Sequence, residues 1–227
     1  LRFQLFRLSV FQYFPQMYRR CGFRHEKRLR AMGVIRIAGI DEAGRGALAG
    51  PVVAAAAVLP EKFRHRKLND SKQLAPELRQ TIYDELVSNA EITWAVGIVD
   101  HIEIDRINIL RATHHAMRIA LAALTVPPDH VLIDGLPVFP FPFPQTAIID
   151  GDCYSLSIAA ASVIAKVTRD RMMRDFCTQF PQYCFDQHKG YTTELHLTRL
   201  HEFGPCPIHR RSFEPVAQPL LSLEGIA

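Results

Sequence analysis

Val34-Ile-Arg-Ile-Ala-Gly-Ile-Asp-Glu-Ala-Gly-Arg-Gly46, followed by Pro51-Val-Val-Ala-Ala-Ala-Ala-Val-Leu59, decides the fold. Val34–Ile40 is apolar and β-branched at most positions and reads as a strand; Pro51–Leu59 reads as a second, bounded by prolines. The link from Asp41 to Gly50 holds three glycines, so the two strands read as a hairpin with a wide turn. Asp41 and Glu42 would point to opposite faces of a continuing strand. They can serve one site only if the chain turns there, which Gly44 and Gly46 permit.

Outward from this hairpin the pattern alternates. Pro76–Ser88 reads as a helix with Leu78, Ile82 and Leu86 on one face, and Ile92–Val99 as a third strand. Asp105 or Asn108 can cap a helix running to Leu124. His130–Asp134 is a short buried strand ending in an acid, and Thr146–Asp150 another short strand. Between them Leu136–Pro144 carries four prolines and three phenylalanines, which reads as a loop packing its aromatics. Ser155–Phe176 is the longest helix, with Ser155 or Ser157 as cap, and its Ala159-Ala-Ala161 run permits close approach to a sheet. Thr193–Phe203 is the final helix, ended by Gly204-Pro205. Trp94 reads as core. Strands first in a hairpin and then alternating with helices imply a mixed sheet covered by helices.

The chain has 227 residues, 48% hydrophobic and 22% charged, which suits one soluble globular domain and excludes a disordered or membrane-spanning class. Five cysteines, Cys21, Cys153, Cys177, Cys184 and Cys206, form no C-x-x-C pair, which points to free thiols in a reducing compartment and so to a cytoplasmic protein. Residues 1–30 hold eight Arg/Lys and one Glu, a net +7 against +4 for the whole chain, so the remainder carries −3. A uniformly basic nucleic-acid binder would not look like this; placement, not total charge, carries the information. Residues 1–25 read as a basic N-terminal extension, with three readings open: a disordered arm or a start placed too far upstream, a targeting peptide, or a nucleic-acid-gripping arm. The domain is placed at 26–216 and an irregular tail at 217–227.

Asp41 follows Ile-Ala-Gly-Ile, Asp134 follows Val-Leu-Ile, and Asp150 and Asp152 follow Ala-Ile-Ile. Carboxylates at the edge of a core need a partner, because an uncompensated buried charge is too costly. No lysine or arginine adjoins Asp134 or Asp152 in sequence, so a hard divalent cation, Mg²⁺ or Mn²⁺, is the expected partner. Gly44-Arg45-Gly46 does not open a helix, which rules out a dinucleotide loop. Its bare backbone suits close approach to a sugar or phosphate, with Arg45 adding a cation.

These residues resemble the signature of type 2 ribonucleases H. The resemblance runs in order through Ile37–Gly46, Leu48–Val53, Asp70-Ser-Lys72, Ile104–Ile109, Asp134-Gly135, Gly151-Asp152, Ile158–Lys166 with Arg169-Asp170, His188-Lys-Gly-Tyr191, and His209-Arg210 with Phe213. It covers about Glu26 to Val216. It implies a ribonuclease-H-like α/β fold, a mixed five-stranded sheet flanked by helices with a helical C-terminal extension. It also implies four catalytic, metal-holding carboxylates: Asp41, Glu42, Asp134 and Asp152. Gly44, Arg45 and Gly46 look like the family's reader of the ribose 2′-hydroxyl, and Tyr191 like the residue that stacks under the deoxyribose at an RNA-to-DNA junction. The implied activity is endonucleolytic hydrolysis of the RNA strand of RNA–DNA hybrids and at ribonucleotides embedded in duplex DNA. The implied chemistry is two-metal-ion hydrolysis leaving 3′-hydroxyl and 5′-phosphate ends, by a monomer with no membrane partner.

Other readings are weaker. Basic clusters that could grip phosphates are Lys62, Arg64, Arg66 and Lys67; Lys166, Arg169 and Arg174; and Lys189, Arg210 and Arg211, each of which could equally be a solvated face. Cys184, His188, Cys206 and His209 have a spacing too loose for a zinc site. Cys153 stands where the family usually has a small residue, a tolerable departure. A different nuclease or transposase of the same acid-rich fold would cut duplex DNA as well as hybrid. A non-catalytic binding module would not cut at all.

Overall fold

The computed structural model describes residues 21–217. Five strands, β1 (Ile37–Ala43), β2 (Val52–Val58), β3 (Thr93–Val99), β4 (His130–Asp134) and β5 (Gln145–Ile148), form one sheet in the order β3-β2-β1-β4-β5. β1, β2 and β3 pair antiparallel, whereas β4 and β5 join parallel on the far side of β1. The helices are α1 (Arg24–Ala31), α2 (Pro76–Ser88), α3 (His101–Ile107), α4 (Ile109–Ala122), α5 (Leu156–Gln179), α6 (Phe185–His188) and α7 (Glu194–Phe203). The mixed five-stranded sheet and the helical C-terminal part agree with the sequence reading.

Helices cover both faces, which is why β2 reads Val-Val-Ala-Ala-Ala-Ala-Val with no polar alternation. Ala55 and Ala57 meet Ala159, Ala160 and Val163 of α5, with Ile82 and Leu86 of α2 behind them. Ala54 and Ala56 meet Ala112, Ala116 and Ala120 of α4. The small residues let both helices lie close. A Cβ at Gly39 would collide with the α5 backbone at Ser157 and Ile158, and one at Gly97 with the α4 backbone at Ala116, so each helix is seated on a glycine.

Three local expectations change. β1 does not turn at Asp41-Glu42; it stays paired with β2 through Ala43, and the turn begins at Gly44, φ +95°. Of the two caps expected for the helix running to Leu124, Asn108, at φ 70°, is the one used: it caps α4 by accepting from the Arg111 amide, while Asp105 lies inside the separate α3, capped by Asp100. Trp94 is only half-buried. Of the loop phenylalanines, Phe141 and Phe143 pack on the core, but Phe139 is 75% exposed.

Residues 21–25, placed by the sequence reading in the basic extension, belong to the folded body. Gly22 and Phe23 bridge to Ser155, and the α1 residue Glu26, fully buried, accepts from Ser155 Oγ at 2.6 Å and from the Ser157 amide at 3.1 Å. The carboxylate thereby sits on the N-terminus of α5, where negative charge is favoured. Residues 1–20 and 218–227, and with them most of the proposed basic leader and tail, lie outside the described residues.

Candidate active site

Asp41 and Asp134 come together because β1 and β4 are parallel neighbours in register, with Ile40 opposite Ile133. Both acids therefore stand at the same carboxyl edge of the sheet, where open α/β sheets bind ligands. Asp152 arrives from a 3-10 turn, Gly151–Cys153, wedged between β5 and α5. Asp134 holds that turn: its Oδ1 accepts from the Gly151 amide at 2.7 Å. Carboxylate oxygens of Asp41, Asp134 and Asp152 lie within 4.8 Å of one another. Asp150, at the left-handed φ of 54°, is exposed and outside this group.

Burial first, then Glu42 and Asp134, pushes the Asp41 carboxyl well above the usual carboxylate range. Burial raises Asp134 also. Asp152 is pushed up to about 6 by burial and then by Asp70 and Asp134. Among the described residues the cation that pairs with this cluster is Lys72, whose Nζ is 3.9 Å from Asp152 Oδ2 but whose side chain is 74% exposed. One solvated ammonium does not compensate three crowded carboxylates, two of them buried, whereas a divalent cation of hard character does. The donor set is all oxygen, as Mg²⁺ or Mn²⁺ requires.

Glu42 is not in the 4.8 Å group of the three aspartates, though its charge bears on Asp41. It lies on the adjacent pocket wall, and its Oε1 accepts from Arg45 at 3.1 Å. Burial raises its pKa while Arg45 opposes the shift. The same pocket is lined by Gly44, Arg45, Gly46, Lys72, Lys166 and Tyr191. Gly44–Gly46 and Tyr191 thus share one cavity with Glu42, at the margin of the aspartate cluster.

Lys72 and Asp70 were not singled out by sequence reasoning, although Asp70-Ser-Lys72 lies within the resemblance. The missing cation near Asp152 is supplied from 80 residues earlier in the chain, a proximity that spacing does not reveal. Arg79 of α2 fixes this loop by donating to the carbonyls of Ser71 and Leu74. Ser71 and Ser162 share a 2.9 Å hydroxyl contact beneath it.

The basic clusters divide. Arg169 and Arg210 are fully buried and do not face solvent, so the expectation that they grip phosphates is corrected. Arg169 donates to the carbonyls of Pro51, Lys189 and Ala49, and Arg210 to those of Gly50, Arg45 and Gly44. These two guanidiniums brace the Gly44–Pro51 loop from within, using five donors where a lysine has a single nitrogen. Lys166 pairs with Asp170 at 2.7 Å and stands 5.3 Å from the Tyr191 ring centroid. Lys166, Arg174 and Lys189 line a groove that shares Lys72 and Lys166 with the pocket. Lys62, Arg64, Arg66 and Lys67 are exposed.

The C-terminal unit staples the same loop: Ala47 bridges Tyr191, and Ala49 bridges His209. Behind Tyr191 runs a buried histidine chain. The Cys206 amide can only donate, so His209 Nδ1 accepts from it at 3.0 Å and His209 carries its proton on Nε2. That proton faces His196 Nε2 at 3.0 Å, which leaves the His196 proton on Nδ1, 3.0 Å from the Tyr191 carbonyl. Every atom is paired only if both rings are neutral. Burial, and then His188, lowers His196 to about 4; burial, and then His196, lowers His209 to about 3. His209 spends both ring nitrogens in this chain and His188 spends its own on the Tyr183 carbonyl and the Gly190 amide, so neither is free for zinc.

A lowered histidine pKa means that the unfolded chain binds more protons between about pH 6.5 and about pH 4, so these groups withdraw stability as pH falls through that window. The expected slope is up to about 1.4 kcal/mol per pH unit for each histidine. The raised carboxylates act with the opposite sign, so wild type must be compared with His209→Gln in urea denaturation of metal-free protein. The stability difference between them should shrink from pH 7 to pH 5; a constant difference would refute neutral burial.

The comparisons agree with this geometry. Residues 38–216 match the family model described as Ribonuclease HII. The chain is 51% identical over 203 residues to a ribonuclease HII from Geobacillus kaustophilus, covering 89% of this chain and 77% of that one. It is 47% identical over 217 residues to one from Geotalea uraniireducens, covering 96% and 100%. Among solved structures, the ribonuclease H2 of Pyrococcus horikoshii OT3 superposes with a TM-score of 0.67 at 28% identity, over 81% of this chain and 96% of that one. With the acids gathered at the sheet edge and the match spanning sheet, pocket and C-terminal unit, the chain belongs to the ribonuclease HII family and is a ribonuclease H, a hydrolase.

Proposed function

We propose that this enzyme hydrolyses the RNA strand of RNA–DNA hybrids and cuts at ribonucleotides embedded in duplex DNA, leaving 3′-hydroxyl and 5′-phosphate ends. The observation that carries this reading is the shared pocket: the Gly44–Gly46 backbone and Tyr191 stand beside the aspartate cluster. Asp41, Asp134 and Asp152, joined by Glu42, would hold the divalent ions, Mn²⁺ or Mg²⁺. Bound there, such ions would supply an activated water and stabilise charge on the leaving oxygen, as in two-metal phosphodiester hydrolysis. The chain's own part is placement. Asp41 is held by its bond from the Glu42 amide at 2.7 Å, and Asp134 by Gly151. Tyr191, held through its carbonyl by His196, presents a ring for a deoxyribose. Lys166, Lys189 and Arg174 are the remaining phosphate contacts, with Lys72 beside them. The free cysteines support a reducing, cytoplasmic setting, and we infer a monomer. Among the described residues no helix is long and apolar enough to cross a membrane.

A 2′-hydroxyl is both donor and acceptor and distinguishes RNA from DNA. Gly44 and Gly46 differ as its readers. A Cβ on Gly44 would strike the Arg169 guanidinium, and its φ is left-handed, so the fold itself demands glycine there. Gly46 is exposed, and a Cβ there would meet nothing within 4 Å. Gly46→Val should therefore fold normally and bind metal normally, yet lower cleavage about 10²-fold by blocking sugar approach. Unchanged cleavage would reject the role. The decisive assay for the whole reading is a DNA duplex carrying one ribonucleotide, with and without metal, beside an all-DNA duplex. Cleavage of both duplexes alike would favour a general nuclease.

A further inference from the structure

The pocket does not end the cationic surface on this side of the molecule. Arg111, His114 and Arg118 fall at i, i+3 and i+7 of α4, so they form one stripe spanning about 10 Å of helix. The stripe walls an open groove whose other lining includes Arg106, Phe139 and Pro140. The only acid in that lining, Glu103, is consumed by Arg106, which donates to both its oxygens at 2.6 Å. Asp105 on the same helix as Glu103 is turned to the Arg211 and Ser212 amides. Among the described residues neither Arg111 nor Arg118 has an ion-pair partner; Arg118 makes one 3.4 Å bond to the Pro140 carbonyl. Burial, then Arg118 and then Arg45, hold His114 below the usual imidazole range, so Arg45 of the pocket and Arg118 of the groove both bear on this one imidazole.

We propose that this α4 groove is a second nucleic-acid contact, taking the phosphate backbone of the duplex that flanks the cleavage pocket beyond Arg45. The inference rests on the functional reading above and adds a partner surface to it. Unpaired arginines on a regular helix stripe suit a repeating polyanion. Phe139, 75% exposed at the rim, offers a flat apolar face against a sugar or a base. The cationic balance of the groove favours a phosphate backbone over an acid-poor protein partner.

The test uses two RNA–DNA hybrids, one of about 8 base pairs that fills only the pocket and one of about 24 that also reaches the groove. Arg111→Ala/Arg118→Ala should raise KM about tenfold on the long hybrid, leave kcat and the short hybrid unchanged, and lower the salt slope by about 2. Arg111→Lys/Arg118→Lys should retain the wild-type slope. Equal losses on both hybrids, or an unchanged salt slope on the long one, would overturn the groove and leave that face to a protein partner. A wild-type chain that cleaves neither hybrid would overturn the functional reading instead.

Discussion

Asp41→Asn is expected to lower turnover by on the order of 10³-fold or more while hybrid binding stays near wild type. Asparagine keeps the volume and can still accept from the Glu42 amide, which Asp41 does at 2.7 Å. What it removes is charge at an acid as buried as Asp152, 3% exposed, with Glu42 and Asp134 beside it. The same substitution should therefore stabilise the metal-free fold, by about 1–3 kcal/mol, because it relieves desolvation and like-charge repulsion. Thermal unfolding with and without Mn²⁺ reads both consequences. Wild type should gain stability on adding metal, and the variant should start higher and gain less. Near-normal cleavage by the variant, or a drop in its metal-free stability, would count against Asp41 as the central ligand.

Arg169→Met should cost about 3–5 kcal/mol of stability. The side chain is fully buried, and its loss removes the donor from the buried carbonyls of Pro51 and Ala49 and from the part-buried one of Lys189. Each such orphan costs about 1–3 kcal/mol, and methionine fills the volume but offers none of the bonds. Cleavage should fall as well, because those carbonyls set the path of the Gly44–Pro51 loop. A phosphate-gripping arginine would behave differently, lowering the salt slope of binding with little change in denaturation midpoint. That second outcome would restore the surface role which the burial of Arg169 contradicts.

Within the candidate site, legibility tracked locality. Asp41, Asp134 and Asp152 were readable because each closes or follows an apolar run in the sequence, and an acid at such an edge needs a partner. Glu42 was read from its place beside Asp41 and from the resemblance, and the turn invoked to bring the two together comes only at Gly44: β1 runs on through Ala43. Arg169 and Arg210 misled because an arginine near other cations looks the same in sequence whether it faces solvent or three carbonyls. Lys72 near Asp152 and the His209–His196 relay behind Tyr191 depend on contacts across long stretches of chain, which periodicity and spacing do not encode.

Strand and helix identity, the alanine-rich β2 covered on both sides, and the three edge aspartates follow from local pattern, since hydrophobic period and turn chemistry act over a few residues. Which cations are buried braces and which are exposed was settled by the closing of the C-terminal unit over the Gly44–Pro51 loop. So was the neutral state of the histidines behind Tyr191. Desolvation and hydrogen-bond geometry belong to the assembled surroundings of a group, and the identity of a residue carries no information about them until the chain has packed.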